Sequence, residues 1–147
     1  MAKKKQIKEE PRKPRMVFTT GKRKTAVARA RIKPGMGRVE INKIPLDLWQ
    51  PEYPRIKIRE PLLLAGDLSK NVDIHVNVKH GGILSQAEAT RQAIAKGMVE
   101  FFNDEKLKKV YLDYDRSLLV YDPRRCEPHK PSRSKAGSRR HKQRSKR

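Results

Sequence analysis

Gly21-Lys22-Arg23-Lys24-Thr25 sets three cations in succession, and Arg29, Arg31 and Lys33 follow at alternate positions. Ammonium and guanidinium groups at this density share one chemistry, charge-assisted hydrogen bonding to phosphate oxygens. Backbone freedom at Gly21 would let the turn settle on a phosphate surface; a solvated charged turn is the competing reading. The same chemistry returns from 123 to 147, where eleven Lys and Arg stand against Glu127 alone, a net charge of +10. Its cations are Arg124, Arg125, Lys130, Arg133, Lys135, Arg139, Arg140 and Lys142, then Arg144, Lys146 and Arg147.

Other chemistries have weaker footing. Cys126 and His129 have a Cys-x-x-His spacing, but a structural zinc site takes four ligands from paired motifs, and no metal or cofactor is expected. As a nucleophile Cys126 would need a base and an orienting group, yet it lies among Pro123, Arg124, Arg125 and Pro128. Asp113, Asp115 and Asp122 are the nearest approach to a carboxylate cluster and read as structural acids. Gly81-Gly82 ahead of a helix reads as a strand-to-helix turn whose free N–H groups could also meet an anion. No GxxxxGK[ST] loop is present, so nucleotide binding is not expected. A binding protein without catalysis is the consequence.

Composition agrees. The chain has 147 residues, 37 Lys and Arg against 16 Asp and Glu, a net charge of +21 and a pI near 10.5. That balance calls for an anionic polymer as partner. One cysteine excludes an intrachain disulfide and leaves a reducing, cytoplasmic setting as the default. The charged N-terminus lacks the apolar stretch of a secretory signal, and the longest aliphatic run, Leu62-Leu63-Leu64-Ala65, is far too short for a membrane span.

The elements that must position these groups lie between two basic extensions. Residues 1–15 carry net +5 and almost no apolar side chains, the arm 123–147 carries +10, and 16–122 keep +6 with nearly all the aliphatic and aromatic residues. A basic N-terminal extension, a globular core and a basic arm follow, the arm disordered when free in solution. Fully extended, it would span about 80 Å at roughly 3.3 Å per residue.

Within the core, Thr25 to Lys33 alternates Ala26, Ala28, Ala30 and Ile32 with a mostly cationic face, which predicts a strand. Pro34-Gly35-Met36-Gly37 reads as a turn into Arg38 to Asn42, hence a β-hairpin. Pro45 to Gly66, with its prolines, reads as a surface excursion ending in a short helix at Pro61. Val72, Ile74, Val76 and Val78 predict a second half-buried strand. Ser85 and Glu88 have capping-box spacing for a helix running to Phe102, with Ala87, Ile94, Met98, Phe101 and Phe102 buried and Arg91, Lys96 and Glu100 away from that stripe. A short helix from Asp104 to Lys109 and a last strand, Leu118 to Tyr121, would complete an α+β fold, a small sheet covered by one main helix.

Taken together, Gly21-Lys-Arg-Lys-Thr-Ala-Val-Ala-Arg-Ala-Arg-Ile-Lys-Pro-Gly, Gly37-Arg-Val-Glu-Ile-Asn, Arg59-Glu-Pro-Leu, Leu64-Ala-Gly, Gly81-Gly82-Ile-Leu-Ser-Gln-Ala, Asp122-Pro-Arg and the terminal Ser145-Lys146-Arg147 closely resemble the family of the ninth protein of the small ribosomal subunit. The lysine-rich N-terminus and the Trp49 to Pro54 insert are similar to its archaeal and eukaryotic branch. The resemblance implies a left-handed β-α-β crossover, a handedness that periodicity cannot supply. It also implies a place in the head of the small subunit, on the 3′ major domain of ribosomal RNA, among neighbouring head proteins that could meet Trp49 and Tyr53. The family's tail reaches peptidyl-site tRNA, which makes Lys146 and Arg147 tRNA contacts, with Ser145 and Arg144 close behind. His80 stands where bacterial members often have a third glycine, and Arg144 where they commonly have an aromatic residue. The rival readings are a chromatin or nucleoid packaging protein and an RNA-processing enzyme; the first predicts equal binding to duplex DNA and ribosomal RNA.

Overall fold

Period-two alternation builds the sheet. The computed structural model describes residues 16–126. Its strands are Val17–Arg23 (β1), Ala26–Pro34 (β2), Val39–Ile41 (β3), Ile44–Pro45 (β4) and Val72–Lys79 (β5), ordered β1-β2-β5-β3-β4. Ala26, Ala28, Ala30 and Ile32 of β2 and Val72, Ile74, Val76 and Val78 of β5 are buried as their alternation predicts. With the helices Glu52–Ala65 (α1), Ile83–Phe102 (α2) and Glu105–Tyr114 (α3), the fold is α+β.

Strand pairing departs from the local reading. The hairpin joins β1 to β2, in antiparallel register with Phe18 opposite Arg31, and its turn is only Lys24-Thr25. Gly21 to Arg23 are therefore strand residues rather than a flexible turn. The expected hairpin of β2 with Arg38 to Asn42 does not form. Instead β5 lies between β2 and β3, antiparallel to the first and parallel to the second. The Ile74 N–H donates to the Arg38 carbonyl and the Asn42 N–H to that of Val76, each at 2.8 Å.

The parallel pair β3 and β5 is connected through α1, a 14-residue helix where a surface excursion with a short helix at Pro61 is expected. Pro54 occupies the first turn, where no N–H is needed, but Pro61 is interior and removes a helical hydrogen bond. Ile58, Pro61 and Ala65 are buried, and the helix packs on α2. That burial offsets the lost bond, because each large side chain taken from water contributes about 1.5–3 kcal/mol. The Tyr111 hydroxyl, fully buried on α3, donates to the Pro61 carbonyl at 2.8 Å.

α2 lies across β1 and β2, with α1 and α3 packed against it. It starts at Ile83 with Gly82 as N-cap, so the capping box at Ser85 is not formed. The Gln86 side-chain amide instead ties the first turn back to the end of β5, donating to the His80 carbonyl at 3.1 Å. Packing on two sides buries much more than one stripe: Arg91 and Gln92 are inside with Ile94 and Met98, while Phe101 and Phe102 are only half-buried. Arg91, expected away from the buried stripe, pairs with Glu60 of α1 at 2.6 Å and Asp115 at 2.9 Å. Asn103 ends the helix in the left-handed conformation, and the Asp104 carboxylate caps α3 by accepting from the Lys106 N–H at 2.8 Å. The expected strand Leu118 to Tyr121 is absent; a 3-10 turn, Arg116–Leu118, leads into irregular chain, with Leu118 buried as the anchor.

Candidate nucleic-acid interface

Alternation sends every second side chain of β1, β2 and β5 to the sheet face that α2 leaves uncovered. Three cross-strand rows result. Phe18, Arg31, His75 and Glu40 form the first, Thr20, Arg29 and Asn77 the second, Lys22, Val27 and Lys79 the third. Lys33 lies beyond the first row, opposite Asp73 at 3.9 Å. The Glu40 carboxylate accepts from the His75 Nδ1 at 3.0 Å. Both acids of this face thus have partners, whereas Lys22, Arg29, Arg31 and Lys79 have no ion-pair partner among the described residues. Lys24 stands at the tip of the β1–β2 turn in a left-handed conformation, exposed.

Of the first cation cluster, Arg23 is the one turned away. It shares its side of β1 with Val17, Thr19 and Gly21, the side toward α2, and its guanidinium meets Glu88 at 2.6 Å and Asp122 at 3.1 Å. Asp122 also accepts from the Arg124 guanidinium at 2.6 and 2.9 Å and from its backbone N–H at 3.0 Å. The Arg124 side chain and N–H hold the Asp122 carboxyl far below the usual carboxylate range, with Arg23 assisting. Arg125 donates to the Tyr121 hydroxyl at 2.9 Å. The start of the arm is thereby tied to β1 and α2 through a chain of ion pairs.

Lys130, Arg133, Lys135, Arg139, Arg140, Lys142, Arg144, Ser145, Lys146 and Arg147 lie outside the described residues, as do His129 and His141. Among the described residues no group of three or more His, Cys, Asp or Glu could hold a metal ion, and no helix is long and apolar enough to cross a membrane. Cys126 is exposed. Of the three aspartates, Asp115 pairs with Arg91 and Asp122 with Arg23 and Arg124. Trp49 is buried in the core, against the expectation that a neighbour covers it, while Tyr53 is exposed. What sequence reasoning missed was Phe18, because β1 itself escaped it; the Val-Phe-Thr-Thr run was the available signal.

One sheet face packed under a helix, the other cationic, and a basic chain leaving from a tethered root define a class: a small α+β scaffold protein whose surface suits a polyanion. Within that class the chain belongs to the ribosomal protein S9/S16 family, whose model matches residues 21–147. It is 51% identical over 131 residues to the small ribosomal subunit protein uS9 of Methanococcus maripaludis, covering 89% of this chain and 98% of that protein. With uS9 of Pyrobaculum aerophilum it shares 56% over 129 residues, 88% and 91% of the two chains. With uS9 of Desulfurococcus amylolyticus it shares 56% over 122 residues, 83% and 87%.

Proposed function

We propose that the chain is a structural constituent of the small ribosomal subunit, with ribosomal RNA as its main partner and no reaction of its own. One observation carries the reading: in a chain of a ribosomal family, Lys22, Arg29, Arg31 and Lys33 project in neighbouring rows from the uncovered sheet face, beside Lys24 at the hairpin tip. These groups, with Arg125, Lys130, Arg133, Lys135, Arg139, Arg140 and Lys142 along the arm, neutralise RNA phosphates. Arg23 and Arg124 also hold the root of the arm through Asp122. The core 16–122 sits in the subunit head on the 3′ major domain, among neighbouring head proteins, in the cytoplasm. The terminal Arg144, Ser145, Lys146 and Arg147 reach phosphates of peptidyl-site tRNA. Phosphate contacts position without reading sequence, which suits a site that must accept every tRNA.

The experiment is sedimentation followed by tRNA binding. The chain is expected to travel with small subunits, and its tail to crosslink to RNA. Removing Lys146 and Arg147 should leave assembly intact and weaken peptidyl-site tRNA binding, with the salt slope of the affinity falling by about one for each phosphate no longer neutralised. Unchanged tRNA affinity at several salt concentrations would remove the tail assignment. Sedimentation away from subunits, with equal affinity for duplex DNA, would remove the ribosomal one.

A further inference from the structure

Phe18 is 70% exposed on the uncovered sheet face, with Arg31 directly opposite on β2 and His75 next in the row. Around these residues lies an open depression of about 580 Å³, within the roughly 300–1,000 Å³ of small-ligand clefts. Its lining combines an aromatic ring (Phe18), two guanidinium groups (Arg29, Arg31) and hydrogen-bonding side chains (Asn77, His75, Glu40). Asn77 has no side-chain hydrogen bond among the described residues, and its amide presents both a donor and an acceptor.

An isolated exposed phenylalanine has no meaning by itself. Here the ring is set among cations on a face whose acids are both engaged. The cations of this face that lack an ion-pair partner among the described residues, Lys22, Arg29, Arg31 and Lys79, favour a polyanion over a protein surface of mixed charge. A splayed-out nucleobase is served well: it needs an aromatic or guanidinium plane to stack on, polar groups for its edge, and cations for the flanking phosphates. Phosphate contact alone leaves the aromatic ring unexplained.

We infer that this depression holds one unpaired base of single-stranded RNA, stacked on Phe18 with its polar edge toward Asn77 and its flanking phosphates on Arg29 and Arg31. The inference rests on the reading of this face as an RNA surface and goes further in naming an unpaired base rather than duplex backbone as what it takes.

The test uses the full chain and two labelled probes, an oligoadenylate of about eight nucleotides and an RNA duplex of the same length, each titrated at several salt concentrations. Phe18→Ala should weaken the single strand by roughly 5- to 100-fold, leave the duplex within about twofold, and keep the salt slope, since no cation is removed. Phe18→Leu, apolar without a π face, should behave like Phe18→Ala. Phe18→Trp should keep the affinity and show its emission quenched by the single strand, whereas the parent, whose one tryptophan is buried, should show no such change. Because the side chain is mostly in solvent, all three variants should keep the parental circular dichroism.

Equal losses for both probes, or none for either with the emission of the Phe18→Trp variant unresponsive to the single strand, would overturn the base assignment. Arg29→Gln with Arg31→Gln then separates the two levels. If the pair lowers affinity for both probes, the face still binds RNA and only the stacked base is wrong. If it changes neither, the RNA reading of the face falls as well, and a protein neighbour covers Phe18.

Discussion

Gly21 has no space for a side chain. A Cβ there would sit 2.0 Å from the Ala89 carbonyl oxygen and 2.7 Å from the Ala93 backbone nitrogen, both of α2. The neighbouring Thr19 hydroxyl donates to the Ala93 carbonyl at 2.8 Å, and a Cβ on Gly97 would meet Ile32 at 2.4 Å. Small residues thus let helix and strand backbones approach until a side-chain hydroxyl bridges them. Gly21→Ala should lower stability by about 1–3 kcal/mol or more, since backbone cannot yield as a flexible side chain does. Gly82→Ala, with nothing within 4 Å and φ of −88°, should cost less, under about 1 kcal/mol, the difference between glycine and alanine at an N-cap. Urea denaturation of the two variants checks the contrast. In the sequence Gly21 is a glycine among cations, which suggests freedom for phosphate contact. Its function in the fold is the opposite, close packing, because what faces a strand residue from about 70 positions away cannot be read locally.

At the scale of elements, Asp73 of β5 organises the segment between β2 and β3. The Met36 N–H donates to its carboxylate at 2.9 Å and the Arg38 N–H at 3.1 Å, and a Cβ on Gly35 would collide with the same group at 2.1 Å. The Met36 N–H foremost, then, against some burial, the Arg38 N–H and the charges of Lys33 and Arg38, hold the Asp73 carboxyl below the usual range. A depressed carboxylate contributes stability above its unfolded pKa of about 3.9 and loses it as pH falls through the lower folded value. Melting temperature should therefore drop in acid below about pH 4. Asp73→Ala should cost about 1–3 kcal/mol at neutral pH and make the acid limb shallower, in thermal melts across pH. The elements with strong alternation, β2 and β5, were legible, and so was most of α2. α1 was hidden by its prolines, since local propensity weighs against a helix that only packing on α2 makes favourable. The N-cap of α2 was misplaced because Ser85 and Glu88 have capping spacing, yet Glu88 is drawn to Arg23 instead.

At the scale of the whole molecule, charge and fold are segregated, and Asp122 stands at their boundary. Its pairs with Arg23 and Arg124 fix the point from which the arm leaves, beside Glu88 at the start of α2. Asp122→Ala frees Arg124 and leaves Arg23 held by Glu88 alone. Limited trypsin digestion should then cut after Arg124 and Arg125 severalfold faster than in the parent, with the melting temperature nearly unchanged; equal cleavage rates would mean that the pairs do not hold the root. The sequence by itself determined the α+β class, the concentration of apolar residues in 16–122, the excess of cations and the family, because composition, alternation and ordered motifs are local properties of the chain. Only the tertiary structure decided that β5 enters between β2 and β3, that Arg23 and Arg91 point inward to carboxylates, and that Phe18 stands on an uncovered face among the cations. Each of these depends on which distant segments offset the entropy of meeting one another, and that balance is struck across the whole core rather than within any stretch of it.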